Sequence, residues 1–268
     1  MERLAVAPLV MEGWARRRRR ARQLLDRHGF AAQLLRLYGE LLDVQERAFL
    51  ATLDDAPSPS TLPVYVARQV MKDVADTTVA FGPAALAAAV QERLGAADPA
   101  AFVAAWLAGQ SQSPVEQYLA RAASAPVLEA LGPAAAAACR PPGGDAGCPR
   151  CGGLPQVSYL SESPEALVSG PRMLQCCRCA ESWVHPRMTC VGCGEQTTAK
   201  LPIFADADRF PHLRADGCES CRRYIITVDL RKDAEAVPIV DELVALPLDL
   251  YVQERGFAKI TPNLMAIG

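Results

Sequence analysis

Histidine is scarce, with three in 268 residues, so acid–base catalysis by imidazole has few places to sit. The chain also lacks a Gly-rich phosphate loop, an H-E-x-x-H pair and a Ser-His-Asp candidate set. Positive charge is not in excess: 28 Lys+Arg against 30 Asp+Glu give a formal charge of -2. That balance disfavours general binding to a phosphate backbone. No apolar run reaches the roughly 18 residues that a membrane helix needs. The arginines between Met1 and Arg22 are followed by neither an apolar stretch nor a small-residue cleavage site. These absences lead us to expect a soluble, unexported, cytoplasmic protein with no membrane and no nucleic-acid partner, long enough to bury a core of one or two domains.

Cysteine is missing from the first half of the chain and crowded in the second. Cys139 is the first of ten, and the other nine lie between Cys148 and Cys221. In a reducing compartment such a set reads as metal ligands rather than as a disulfide framework. Four C-x-x-C pairs stand out: Cys148/Cys151, Cys176/Cys179, Cys190/Cys193 and Cys218/Cys221. Two residues between thiolates let one tight turn present both sulfurs to a single ion, and two such turns close a tetrahedral site.

The spacing carries more than the pairs do. Every one of these cysteines recurs 42 residues later, 148 to 190, 151 to 193, 176 to 218 and 179 to 221. Gly152 and Gly194 follow the first pair of each unit, where positive φ is easiest for glycine. Ala180 and Arg222 follow the second. This is a duplicated metal-binding module. Pairing within each unit is our reading, although bracing of Cys148/Cys151 against Cys190/Cys193 obeys the same period. Eight ligands for two ions leave no open position, so metal-based catalysis is not expected. All-sulfur tetrahedral sites suit zinc and rubredoxin-like iron equally. With two divalent ions the formal charge would fall from -2 to -6, each site adding four thiolates and two positive charges, and Arg150, Arg178, Arg187, Arg222 and Arg223 are near enough in sequence to offset it.

The remaining candidates have plainer alternatives. Cys177 lies inside a knuckle and is either a reactive thiol beside Arg178 or an outward-facing small residue. Cys139 reads as a helical or linker thiol. His185 and His212 are surplus to eight cysteines. The run Arg16–Arg20, extended by Arg22, reads as a patch for RNA, an acidic partner or a phosphorylated ligand, or as a solvated helix face given Asp26, Glu40, Asp43 and Glu46 nearby.

Periodicity divides the chain. Up to residue 140 the pattern is helical, five to seven helices, with an apolar stripe over Phe30–Leu53, a break at Asp54–Ser60 and a second run over Leu62–Val79. Gly82-Pro83, Asp98-Pro99, Ser113-Pro114 and Gly132-Pro133 mark further starts. Arg140–Gly147 has linker composition. Strand-like runs follow at Leu154–Leu160, Ser182–His185, Ala199–Phe204 and Tyr224–Leu230, and then a helix over Ala236–Gly256 interrupted by Pro247. The expected architecture is α+β. It has a helical domain at 1–140, rubredoxin-like or zinc-ribbon modules at 141–187 and 188–234, and a C-terminal helix and tail at 235–268.

Four features in this order, an Arg-rich helical N-terminal segment, CPRCG, LQCCRCAESW leading into RMTCVGCG, and CESC, completed by the ending DELVALPLDLYVQERGFAKITPNL, resemble the formate dehydrogenase accessory proteins of the FdhE type. The resemblance runs from about Arg16 to Met265. It implies a cytoplasmic maturation factor and not an enzyme, one that contacts the catalytic subunit of a respiratory formate dehydrogenase before export. It implies iron or zinc on Cys148, Cys151, Cys176, Cys179, Cys190, Cys193, Cys218 and Cys221, with Cys177 an addition to the family pattern. From the residues alone, a rubredoxin-like electron carrier or thiol-redox protein stands beside that reading. A zinc-ribbon nucleic-acid module is opposed by 13 Lys+Arg against 16 Asp+Glu over residues 145–268.

Overall fold

The computed structural model describes residues 3–139, 147–162 and 170–265, with side chains from Glu12 onward. Of the expected linker, residues 140–146 lie outside the described residues. Seven α-helices precede it: α1 (Arg3–Arg27), α2 (Ala32–Asp55), α3 (Leu62–Gln69), α4 (Met71–Phe81), α5 (Ala84–Ala96), α6 (Pro99–Leu107) and α7 (Pro114–Leu131). The stripe read from the sequence is the buried side of α2, where Leu35, Tyr38, Leu41, Leu42 and Phe49 enter the core. The single run expected over Leu62–Val79 is two helices, because Val70 leaves the helical basin at φ -124°. Start signals were legible where capping chemistry supports them. The Asp98 carboxylate accepts the Ala100 amide at 2.9 Å, and Ser113 and Glu116 cap α7 reciprocally. Gly132-Pro133 instead opens a 3-10 segment ending at Ala138. On α7, Ala120, Ala122 and Ala123 are fully buried, and these small side chains let α2 come close enough for Gln45 to donate to the Ala122 carbonyl at 2.9 Å.

The second half forms one sheet from β1 (Pro155–Leu160), β2 (Arg172–Cys176), β3 (Ser182–His185), β4 (Ile203–Phe204), β5 (Leu213–Cys218), β6 (Arg223–Asp229) and β7 (Ala258–Lys259). Its order is β3-β2-β1-β6-β5-β4, with β7 on β6. The duplication extends to the hydrogen-bond register. In β2–β3, Arg172 faces His185 and Leu174 faces Trp183. Adding 42 to each number gives Arg214 facing Thr227 and Asp216 facing Ile225, the pairs seen in β5–β6. The third strand slips: Ser158 pairs with Leu174 but Ile203 with Asp216, an offset of 45, so three residues are inserted after the second unit's first knuckle. The insertion falls before Ile203, next to or within the stretch expected as strand over Ala199–Phe204. Only Ile203 and Phe204 are strand there, and Thr198–Lys200 is a 3-10 turn.

The two units lie in the same orientation, and the outer edge of β1 pairs in parallel with β6, the repeat-equivalent of β3. Arg172 ties this seam. Its guanidinium donates to Ser158 Oγ at 2.8 Å, to Asp216 Oδ2 at 3.2 Å and to the Thr189 carbonyl beside Cys190 at 3.1 Å.

A repeat of this kind could add strands indefinitely at the outer edge of β3, which no strand among the described residues pairs. Along β6 the Leu230 amide donates to Leu160 of β1, while the Asp229 amide points the other way, to His212. By strand alternation the Val228 amide also faces β1. Its repeat-equivalent is Pro186, which has no N–H to donate. Replacing Pro186 with valine is therefore expected to produce concentration-dependent self-association in size-exclusion chromatography with light scattering. An unchanged elution mass at high concentration would show that the edge is guarded by something else.

The expected C-terminal helix is broken into α8 (Pro238–Asp241), a 3-10 turn at Glu242–Val244 and α9 (Leu246–Gln253), with Pro247 in the first turn of α9. These pieces fasten the two halves together. Arg16 donates to the carbonyls of Ala234 and Ala236, Arg17 forks onto Glu129, Arg18 meets Asp43 and Glu46, and Arg19 meets Glu12. Arg20 is buried against Asp241 and bonds Asp233 at 2.6 Å. The arginine run is thus not a free basic patch: Arg20 is buried, while Arg16 and Arg19 keep an exposed face. All five side chains have partners within the chain, two of them across the junction between halves.

Candidate metal centres

Three of the four C-x-x-C pairs form a turn that closes on its own backbone through an amide hydrogen bond. The Gly152 amide donates to the Cys148 carbonyl at 2.9 Å, Gly194 to Cys190 at 3.0 Å and Arg222 to Cys218 at 2.9 Å. All four knuckles are followed by a left-handed residue: Gly152 at φ 69°, Ala180 at 56°, Gly194 at 77° and Arg222 at 55°. The two glycines were legible for this role. Alanine and arginine accept the same conformation at a cost of roughly 1 kcal/mol each, so turn geometry outweighs residue preference here.

The knuckles bring the eight sulfurs into two groups, Cys148, Cys151, Cys176, Cys179 and Cys190, Cys193, Cys218, Cys221. This is the within-unit pairing, and the cross-braced alternative is not formed. Sulfur separations are 3.7 Å (Cys148–Cys179), 3.4 Å (Cys151–Cys176), 3.7 Å (Cys190–Cys221) and 3.7 Å (Cys193–Cys218). A tetrahedron with metal–sulfur bonds of about 2.3 Å has an edge of about 3.8 Å, whereas a disulfide would need about 2.05 Å. Both groups fit an ion. Backbone amides help, Arg178 N–H pointing at Cys176 Sγ at 3.3 Å and Gly192 N–H at Cys190 Sγ at 3.2 Å. Thiols this crowded do not ionise independently. Cys176 and Cys179 are driven far up by neighbouring thiols, Cys148 foremost, while Cys151 is driven down. Four thiolates together require a cation.

The groups differ in their surroundings. The first is sealed between the two halves of the molecule, its four cysteines at 0–2% exposure. Arg178 lies across it and stacks on Trp106 of α6 at 5.3 Å, and a Cβ on Gly153 would stand 2.8 Å from Cys176 Sγ. Arg121, buried on α7, reaches over to Gln156 Oε1 and to the Pro262 carbonyl at 2.7 Å. Neither Arg121 nor Arg178 has a carboxylate partner among the described residues. Together they carry the two positive charges that a divalent ion in four thiolates leaves unbalanced. The sequence named Arg178 for this role but not Arg121, whose contribution depends on α7 packing over the sheet. Of the other arginines named there, three are engaged elsewhere, Arg150 with Glu181, Arg187 with the Gly170 carbonyl, and Arg222 with Glu219 while stacked on Phe257 at 3.9 Å, whereas Arg223 is exposed beside Gly192 at the second centre.

Cys177 does not face outward. It is buried in a cavity between α7 and the first knuckle, lined also by Trp14, Tyr38, Arg121 and Arg178. Its thiol is pulled down to about 7, by Cys176 first and, against the effect of burial, by Arg121 and Arg178. Cys139 is half-buried and within thiol reach of Cys151. His185 sits on β3 outside both groups. His212, Asp233 and Asp241 converge like ligands, but Arg20 already supplies the cation, bonding Asp241 at 2.9 Å and lying 3.4 Å from His212.

A helical half clamped onto a duplicated ribbon with two four-sulfur groups defines an α+β, two-centre cysteine protein. Residues 188–266 match the FdhE C-terminal domain. Curated proteins named Protein FdhE homolog are similar: that of Aquifex aeolicus is 36% identical over 118 residues, covering 44% of this chain and 41% of that protein. That of Pseudomonas putida is 33% identical over 129 residues, 47% and 40%. The matched stretch thus spans about two fifths of the length of these relatives. The crystal structure of the FdhE protein from Pseudomonas aeruginosa superposes with a TM-score of 0.66 at 26% identity, covering 95% of each chain. The chain is therefore similar to the FdhE C-terminal domain over residues 188–266 and to an FdhE structure in its fold, which bears out the resemblance read from its cysteine runs. No helix among the described residues is long and apolar enough to cross a membrane.

Proposed function

We propose that this chain is a cytoplasmic assembly factor for a respiratory formate dehydrogenase, binding the catalytic subunit before export and performing no catalysis itself. Cys148, Cys151, Cys176 and Cys179 hold one ion, and Cys190, Cys193, Cys218 and Cys221 the other, iron or zinc, with the division into one helical domain, two metal modules and a C-terminal tail read from the sequence. The observation that supports this most is the pair of closed four-sulfur groups on an FdhE fold. Each group spends all its donors on the ion, leaving no position for a substrate.

The test is affinity capture of the tagged chain from anaerobically grown cells producing the dehydrogenase. The catalytic subunit is expected among the retained proteins, and its consistent absence with both metal sites loaded would reject the reading. A second reading, a rubredoxin-like electron carrier, draws on the exposure of Cys193 at the second centre. It requires iron with a visible absorption that bleaches on reduction, and a colourless protein holding two zinc ions after anaerobic preparation would remove it. A nucleic-acid role loses its best candidate surface because the arginine run is engaged within the chain.

A further inference from the structure

The duplication supplies a comparison inside one molecule: two centres of the same ligands and nearly the same geometry, differing in what covers them. At the first, the knuckle residues between Cys176 and Cys179 are Cys177 and Arg178, both buried beneath the helical half. Their repeat-equivalents at the second are Glu219 and Ser220, both exposed. Gly153, pressed against Cys176 Sγ, has Glu195 as its equivalent, and Glu195 bonds Ser220 at 2.6 Å on the surface. Cys193 itself is exposed and Cys221 is partly so, and a Cβ on the adjoining Gly194 would meet nothing within 4 Å. Among the described residues no element of the helical half lies over this centre, and the buried guanidinium beside it, Arg172, which bonds the Thr189 carbonyl next to Cys190, is already paired with Asp216.

We propose that the two centres have divided roles: the first is a permanent clasp, and the second is exchangeable, giving up its ion to an incoming thiolate through Cys193. Metal sites exchange ligands by associative attack, and the rate follows access to the ion and to the departing thiolate. Cys193 offers both. As the incoming thiolate forms its bond to the ion, the bond to Cys193 breaks and the freed thiolate takes up a proton from water. No electrons move. Repetition at Cys221, then at Cys190 and Cys218, completes the transfer. The partner is accordingly a protein or peptide presenting paired cysteine thiolates. This goes beyond the assembly role and does not depend on the identity of the client.

The test uses the full chain loaded anaerobically with two equivalents of Zn2+ and mixed with excess synthetic peptide carrying two C-x-x-C pairs. Native mass spectrometry follows the ions, and brief N-ethylmaleimide labelling with peptide mapping identifies the thiols freed first. One ion per chain is expected to leave faster than the other by on the order of tenfold or more, with label appearing first on Cys193 and Cys221. Cys193→Ser is expected to hold a single ion and to lack the fast phase. Loss of both ions at one rate, retention of both, or first labelling within the Cys148 group would overturn the proposal. The wild-type labelling pattern decides the matter even if the variant fails to fold. Failure to capture a dehydrogenase subunit would leave this result untouched, so the two readings fail separately.

Discussion

Serine in place of Cys176 is expected to remove the first ion and with it most of the stability of the fold. Structural zinc in small cysteine modules contributes an apparent 10–16 kcal/mol, roughly, which is comparable to the whole stability of an ordinary domain at about 5–15 kcal/mol. The position leaves no room for adjustment, since Cys176 is buried, ends β2 and lies 3.4 Å from Cys151 Sγ. The damage does not stop at the sheet. Arg121 and Arg178 are buried without carboxylate partners, so losing the thiolate charge leaves both uncompensated where the halves meet, and removing one partner of a buried charge pair typically costs about 3–5 kcal/mol. The expected results are a metal content of one ion per chain, a large loss of soluble yield and earlier proteolysis between the helical half and the sheet. Cys221→Ser, at the open centre, should also lose one ion but keep the halves docked. Equal denaturation midpoints for the two variants would show that the first centre is no clasp.

The cysteine period announced more of this molecule than its secondary-structure pattern did. A 42-residue recurrence of eight thiols is a direct image of the sites, because ligand spacing is set by local turns that the chain writes consecutively. β1, β3 and β6 were visible as apolar runs. β2 and β5 were not, since Arg172 and Gln175 in one and Arg214 and Asp216 in the other interrupt the alternation. Of these, Arg172 and Asp216 belong to the seam between units, which no local pattern encodes. The buried role of Arg20 was hidden for the same reason. Arg20 finds Asp241 across 221 positions of sequence, and only the docking of α1 against α8 brings them together. Of the two readings open for Cys177, the outward-facing one fails because, although the knuckle alone leaves the residue free, α7 covers it.

The second large effect is expected at Lys259. Its ammonium is buried between two fully buried carboxylates, at 2.8 Å from Glu242 Oε1, an ion-pair contact, and at 2.9 Å from Asp249 Oδ2. Gln156 donates to the other oxygen of Glu242 at 2.5 Å, and Tyr224 donates to Asp249 Oδ1 at 2.9 Å. Through Gln156 the network continues to Arg121 on α7. Methionine at 259 keeps much of the volume but leaves two negative charges without a cation, at a cost of roughly 3–5 kcal/mol near pH 8.

The pH dependence identifies the mechanism. Burial, which outweighs the pull of Lys259, pushes the Asp249 carboxyl up to about 6 from its ordinary 3.8. A carboxyl raised in the folded state favours folding most below its unfolded value, and that contribution is lost as pH rises through the folded value. Without Lys259 the carboxyl should rise further, so protonation relieves the variant more than the wild type. The stability gap measured by urea denaturation should therefore narrow from pH 8 to pH 5. Packing loss alone would keep the gap constant with pH, and that result would remove the ionic explanation. Lys259→Met with Glu242→Gln and Asp249→Asn removes all three charges together. It should recover much of the lost stability, because the penalty arises from carboxylates left unpaired in the core and not from the absence of the ammonium itself.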